Sequence, residues 1–403
     1  MLEGDSQQLL KTVPDLSVDS LVTDPPAGIG FMNKEWDKDK GGRDSWIRWL
    51  CGILLECNRV LKPGSHILVW AIPRTSHWTA TSIEEAGFDV RGIVHHHFST
   101  GFPKNLNVGE GRGTAIKPAT EHWILARAPL DGTILNTVQM WGTGALNIDL
   151  CRISTQDNIS GGAYAKDGSD RYDGYESWRF KRLGGAGDFV HPGGRWPADL
   201  ILSHSERCIE AHETITKAKP KGAFSFGDHK GYEVVKDERV MICADDCPVK
   251  LLDSQAQEPI SQFYYVIKPG RSERDLGLDM FDFKTGGELT NRKEGSAGLK
   301  NPRAGAGRTS GGKNLHPTCK SIELMEYLCR LVTPPSGLVL DPFAGSGSTG
   351  CGALREGFRF LGMELDADYY KVAAARVGHV AGQIQHGQGG GQRGHLPDDA
   401  PGV

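Results

Sequence analysis

No run in this 403-residue chain is both long and apolar enough to span a bilayer, so no membrane-spanning helix is expected. The opening residues, Met1-Leu2-Glu3-Gly4-Asp5, lack the character of an export signal, so a cytoplasmic protein is expected. Regular cysteine spacing is missing as well. The nine cysteines are an odd number, scattered irregularly, so a disulfide framework is not expected and each should be reduced, buried or metal-bound. Excess positive charge is also absent. A net charge of −4 does not advertise a nucleic-acid binder, although averages hide local fields. Apolar residues are scarce at 38%, whereas 53 glycines and 21 prolines are present, a balance that points to long loops rather than to disorder. The length suits one large α/β domain with an insertion, or two domains.

Order along the chain is strongest at its two ends. Val18 to Thr23 reads as a strand running into the Asp24-Pro25-Pro26 turn. Trp46, Trp49, Leu50, Ile53, Leu54 and Cys57 recur at helical spacing, and Lys62-Pro63-Gly64 stops that helix. His66–Trp70 and Val90–Val94 read as strands around a helix from Thr75 to Ala86, and Glu121–Ala126 is a further strand. Strands alternating with helices predict a mostly parallel sheet covered on both faces. The alternation fails after about Leu130. Only Leu200–Ser203 and Phe263–Ile267 read as strands in the middle, and the stretch from Ser160 to Gly194 has no clear periodicity. It returns with a helix at Ser321–Leu331 and strand Leu338–Leu340, then helix Ser348–Arg355, strand Phe358–Met363 and a last helix from Asp368 to about Val377. The Gly/Gln/His-rich remainder is expected to be a disordered tail.

Two segments carry the chemistry. Leu21-Val22-Thr23 leads into Asp24-Pro25-Pro26, and Leu338-Val339-Leu340 leads into Asp341-Pro342-Phe343-Ala344-Gly345-Ser346-Gly347. Each sets an apolar strand before a rigid or glycine-rich turn, which is where parallel α/β sheets bind ligands. Together, in this order, they resemble the DPPY-type and FxGxG motifs of β-group DNA amino-methyltransferases. Gly4-Asp5 and Leu315-His316-Pro317-Thr318-Cys319-Lys320 resemble two further segments of that family, the second its HPT-x-K element. The resemblance covers about the first 130 and the last 90 residues.

What the resemblance implies is a class I methyltransferase fold, S-adenosylmethionine as cofactor and duplex DNA as substrate. Division of the chain follows: an acceptor half over 1–130, a target-recognition insertion over 131–314, a cofactor half over 315–378 and a tail over 379–403. The amine of adenine or cytosine is a poor nucleophile because its lone pair is conjugated into the ring. Asp24 and a backbone carbonyl of the adjoining turn would each accept one amine hydrogen and aim the lone pair at the methyl group. Pro25 and Pro26 fix that frame and donate no competing N–H. Cofactor contacts are expected from Asp5, Asp24, His316, Pro317, Thr318, Asp341, Phe343, Ala344, Gly345, Ser346, Gly347, Thr349 and Glu364. One departure stands out. The family places an aromatic after the second proline, where it stacks on the flipped-out base, and this chain has Ala27. Phe31 and Trp36 are the candidates to replace it.

Rival readings attach to single features. Gly345-Ser346-Gly347-Ser348-Thr349-Gly350 also fits G-x-G-x-x-G, with Glu364 where a dinucleotide fold holds ribose, so an oxidoreductase is the alternative for that segment alone. The preceding Asp341-Pro342-Phe343 favours the methyltransferase. Ala27 raises the other alternative, a sequence-specific DNA-binding protein that has lost catalysis. The DPP form, rather than SPP, tilts the target to adenine N6, with cytosine N4 open. A homodimer and a restriction-modification setting in a bacterial or phage-infected cell follow from the resemblance alone.

Two further patterns bear on partners. Lys268 to Lys313 carries ten basic and six acidic residues among Gly, Ser and Asn, and reads either as a phosphate-following loop or as an ordinary solvated one. His204-x3-Cys208 and Cys243-x3-Cys247 give four ligands in two pairs, compatible with tetrahedral zinc or with buried free thiols. His95-His96-His97 is not expected to bind metal, because alternate strand side chains point to opposite faces.

Overall fold

Leu21 and Val22 set the architecture, since successive strand residues must be buried on opposite faces. In the computed structural model both are fully buried, and each face has its own helical cover. The structure describes residues 1–31, 34–99, 106–155, 194–216, 235–256, 259–268, 272–289 and 311–386. Its strands are β1 (Leu2–Glu3), β2 (Ser20–Thr23), β3 (His66–Ala71), β4 (Asp89–His97), β5 (Asn107–Gly109), β6 (Arg112–Gly113), β7 (Thr120–Arg127), β8 (Leu200–Ser203), β9 (Ile209–Thr216), β10 (Val235–Ile242), β11 (Tyr265–Ile267), β12 (Leu338–Asp341) and β13 (Arg359–Glu364). Nine of them form one sheet in the order β1-β13-β12-β2-β3-β7-β4-β8-β11. Only β7 runs antiparallel to its neighbours; the other pairings are parallel.

One face takes Leu21, Ile67 and Val69 together with Trp46, Leu50, Ile53 and Leu54 of the helix Arg43–Val60. The other takes Val22, Leu68 and Val339 together with Leu324, Met325 and Leu328 of the helix Ile322–Val332. The α/β class with helices on both faces, expected from the sequence, is therefore present.

Register places the two distant motifs side by side. Leu340 pairs with Leu21 and Val339 with Ser20, so strands more than 300 residues apart are neighbours at the centre of the sheet. Leu2 pairs with Met363, and Gly4 N–H donates to the Glu364 carbonyl at 2.8 Å. Both ends of the chain thus meet on one side.

The middle region is less separate than its sequence suggests. β8 and β11 extend the central sheet beyond β4 in parallel. The antiparallel β9–β10 pair and the helix Pro248–Gln255 then stand beside that edge. The eight-residue helices Pro248–Gln255 and Ile134–Trp141 were not expected from the sequence. The last helix runs from Ala367 to Gln385, past the Val377 expected from the sequence, and residues 387–403 of the expected tail lie outside the described residues. Most of the basic Lys268–Lys313 segment, and the stretch 160–193, lie outside the described residues.

Candidate active site

Because β2, β3, β12 and β13 are parallel, their carboxyl ends open on one edge of the sheet. A cleft of 1710 Å³ lies there, lined by Asp5, Asp24, Pro25, Pro26, Phe31, Trp36, Glu121, His316, Thr318 and Lys320, among others, and by the Asp341–Ser346 turn, Thr349 and Glu364. Pro317 and Gly347 are not among the residues that line it. Every other acceptor, target-base and cofactor residue singled out in the sequence faces the same space.

A direct bond joins the two motifs. Thr23 Oγ1 donates to Asp341 Oδ1 at 2.6 Å, and the same oxygen accepts the Phe343 N–H at 3.0 Å. Asp341 is buried, which lifts its carboxyl pKa to about 6 against those bonds. Beyond it the glycine-rich turn needs glycine for space. Gly345 has φ +53°, and a Cβ there would lie 2.9 Å from His316 Nε2. Its N–H donates to Glu364 Oε2 at 2.7 Å, while Glu364 Oε1 accepts from Asp366 N–H at 2.9 Å. Burial raises Glu364 to about 7.

The His316 segment is held from three sides. Asn314 Oδ1 accepts the His316 N–H at 2.9 Å, Arg274 donates to the His316 carbonyl at 3.0 Å, and Ser348 Oγ donates to the Lys320 carbonyl at 2.8 Å. The imidazole packs edge-on to Tyr369 at 4.7 Å and stacks on Trp36 at 6.3 Å. Burial, then the Lys320 and Arg274 charges, lower its pKa to about 3, so it is neutral. Its buried Nδ1 has no hydrogen-bond partner among the described residues. A neutral ring with an unused nitrogen beside a glycine cradle suits a polar ligand that approaches the backbone closely.

At the Asp24-Pro25-Pro26 turn, Lys320 Nζ lies 3.3 Å from Asp24 Oδ2 and 3.3 Å from Glu121 Oε1, and 3.9 Å above the Trp70 ring. Burial raises Asp24 to about 7, although Lys320 pulls it down. Burial would raise Glu121 as well, but Lys320 and His96 win and hold it at about 2. Burial works against the charge of Lys320, yet Asp24 and Glu121 together raise its pKa. The site therefore holds one firmly charged carboxylate and one poised near neutrality. The polar chain continues outward: His96 lies 3.2 Å from Glu121 Oε2 and 2.7 Å from Ser203 Oγ.

Ala27 is buried, and its carbonyl accepts from Thr75 Oγ1 at 3.0 Å. It offers no aromatic face, whereas Phe31 and Trp36 line the cleft from the loop that follows. Sequence reasoning missed the residue that shapes this loop. Asp37, buried, accepts the Gly28 N–H at 3.0 Å and the Phe31 N–H at 2.6 Å. Arg376 was missed too. It is fully buried and donates from Nη1 to the Ser346 carbonyl at 2.5 Å and from Nη2 to the Glu273 carbonyl at 2.9 Å. Lys320 and Glu121 were within reach of sequence reasoning, one inside the quoted HPT-x-K element and the other opening a recognised strand.

Away from the cleft, the ligand atoms of His204, Cys208, Cys243 and Cys247 all lie within 4.8 Å of one another. His96 bonds Ser203 and Glu121, while His95 and His97 share one side with rings 6.2 Å apart, so the three histidines do not converge.

Residues 197–375 match the family model described as DNA methylase, of the N6/N4 methyltransferase type. The chain is 36% identical over 77 residues to the type II methyltransferase M.BamHI of Bacillus amyloliquefaciens, which covers 18% of each protein. It is 42% identical over 62 residues to the type II methyltransferase M2.DpnII of Streptococcus pneumoniae, covering 15% of this chain and 23% of that one. The chain spans between 18% and 34% of the length of the curated relatives it matches first. Among solved structures it aligns with the PvuII DNA methyltransferase (cytosine-N4-specific) at 15% identity and a TM-score of 0.41, over 96% of this chain and 92% of that one. The segment 197–375, which carries the His316 element, the glycine-rich turn and Glu364, matches the N6/N4 DNA methylase family model, in line with the resemblance of its motifs.

Proposed function

We propose that this chain transfers a methyl group from S-adenosylmethionine to an exocyclic amino group of a base in duplex DNA. The observation that carries the reading is the convergence of Asp24 and the glycine-rich turn on one cleft, tied by the Thr23–Asp341 bond. S-adenosylmethionine supplies an electrophilic methyl group, and its sulfur takes the electron pair when the carbon–sulfur bond breaks. Gly345, Ser346 and His316 would border its methionine end, and Asp5 and Glu364 its adenosine.

The chain's own residues act on the amine. Asp24 accepts one amine hydrogen and a turn carbonyl the other, which turns the nitrogen lone pair towards the methyl group. The extra proton leaves after the new carbon–nitrogen bond forms, so Asp24 serves as an acceptor and need not be a strong base. Lys320, between Asp24 and Glu121, keeps Asp24 ionisable in a buried site. Phe31 and Trp36 provide the flat surface that Ala27 does not, so the flipped base would stack on them.

Adenine N6 is the proposed target, on the DPP form of the turn. The insertion over 131–314 would read the sequence, with the basic Lys268–Lys313 segment along the phosphates, and two copies of the chain would act together. The reading places the enzyme in the cytoplasm of a bacterial or phage-infected cell, within restriction-modification. No helix among the described residues is long and apolar enough to cross a membrane.

The test is transfer of labelled methyl to mixed genomic DNA, followed by nucleoside analysis. N6-methyladenine is expected, and N4-methylcytosine would reverse the choice of base alone. Asp24→Ala should cut transfer at least ~10²-fold while cofactor binding persists. Cofactor binding without transfer to any DNA would replace the enzyme with a binding protein.

A further inference from the structure

His204 follows the last residue of β8, and Cys243 follows the last residue of β10. After each of them the chain makes the same turn. The Cys208 N–H donates to the Ser205 carbonyl at 3.0 Å, and the Cys247 N–H donates to the Ala244 carbonyl at 3.0 Å. In both, the bond runs from the second ligand back to the residue after the first. Two turns of identical form, 39 residues apart, therefore present two side chains each to one point. His204 Nδ1 lies 3.3 Å from Cys247 Sγ and 3.5 Å from Cys243 Sγ. A tetrahedral zinc with Zn–S of about 2.3 Å and Zn–N of about 2.0 Å has edges of about 3.5 to 3.8 Å, close to this spacing.

The surroundings call for such a centre. The buried apolar residues of this cluster are Leu202, Cys208, Cys247 and Val249, two of them thiols. Two buried aliphatic side chains, with a rim of partly buried ones such as Leu200, Met241, Leu252 and Val266, are a small core for a two-stranded ribbon, a helix and the turns between them, and a metal commonly makes up such a shortfall. All the cysteines are free thiols. A disulfide would consume two of the three and leave the third with the histidine.

We propose that His204, Cys208, Cys243 and Cys247 bind one structural zinc ion that clamps β8 to the base of the β9–β10 ribbon. Four protein ligands leave no open coordination position, so the centre is structural and takes no part in methyl transfer. It is nevertheless connected to the cleft. Ser203, adjacent to His204, contacts His96, which contacts Glu121 beside Lys320.

The experiment is metal analysis of the full-length protein purified from zinc-supplemented cells, followed by cobalt(II) titration of chelator-treated protein. One zinc per chain is expected, with cobalt giving intense tetrahedral d–d absorption and sulfur-to-cobalt charge-transfer bands. Cys208→Ser and Cys243→Ser should each lower bound zinc at least tenfold. The cobalt spectrum of the unmutated chain decides the matter should those variants fail to fold. Protein that carries no zinc and gives no tetrahedral cobalt spectrum would overturn the proposal. So would a disulfide within the trio of cysteines, found by mass spectrometry of the untreated chain.

Discussion

Lys320 is the side chain on which the electrostatics of the cleft turn. With Asp24 and Glu121 each at 3.3 Å, it separates two partly buried carboxylates that would otherwise repel each other. Their responses differ: Glu121 stays ionised down to about 2, whereas burial leaves Asp24 at about 7. In the proposed transfer, an amine hydrogen is best accepted by the carboxylate form of Asp24, which is populated as the pH rises through that value. Single-turnover methyl transfer should therefore climb with pH along a limb centred near 7. Lys320→Met removes the charge that pulls Asp24 down, so the limb should move to higher pH by about one unit, with a lower plateau. A pH–rate profile of both proteins checks this. A limb unmoved by the substitution would mean that Asp24 is not the titrating group.

At the scale of elements, the loop after the acceptor turn depends on a carboxylate that sequence gave no reason to select. Asp37 accepts two loop N–H groups, from Gly28 and Phe31, and it holds Phe31 at the cleft wall. Asp37→Ala leaves both amides without that acceptor, at a cost of about 1–3 kcal/mol. We expect a lower Tm and a raised KM for DNA, with cofactor affinity unchanged. Thermal unfolding, DNA titration and cofactor binding measure these separately, and an unchanged KM for DNA would remove the loop from substrate binding. Nothing marks Asp37 among the neighbouring acids and lysines, because its role depends on how the loop folds back. Arg376 was equally hidden, since an arginine on a terminal helix reads as solvated until the glycine-rich turn is seen to cover it. The strands that position the site were legible for the opposite reason. Leu21-Val22, Ile67-Leu68-Val69 and Leu338-Val339-Leu340 are continuous apolar runs that end in turn residues, as buried parallel strands must be. The β9–β10 pair was not legible, because Ile209-Glu210-Ala211-His212-Glu213-Thr214-Ile215-Thr216 contains no such run. The helix Ile134–Trp141 misleads in another way: Leu135 and Met140 are 65% and 69% exposed, while Thr137 is buried.

For the whole molecule, the consequence of the strand order is that neither half of the chain holds a complete sheet. Residues 1–155 supply β1, β2, β3, β7 and β4, but β1 is separated from β2 by β13 and β12 of the later half. Residues 194–403 supply β13 and β12 at one place and β8 and β11 at another, with β2, β3, β7 and β4 between them. The sheet interleaves the halves three times, so each fragment alone would leave buried strand edges and apolar faces uncovered. The cleft divides in the same way: Asp24, Glu121 and Trp36 come from the first part, and His316, Lys320, Asp341 and Glu364 from the second. A chain cut between 155 and 194 should therefore give fragments that are separately unfolded or aggregated. Expressed together, they should co-purify, because β2–β12, β1–β13 and β4–β8 pairings all cross the cut. Cofactor binding and methyl transfer should return only in the paired sample. Pull-down through a tag on one fragment, with circular dichroism of each alone, tests the idea. A second fragment that folds cooperatively by itself and binds S-adenosylmethionine would show that the cofactor half does not need β2 to complete its site.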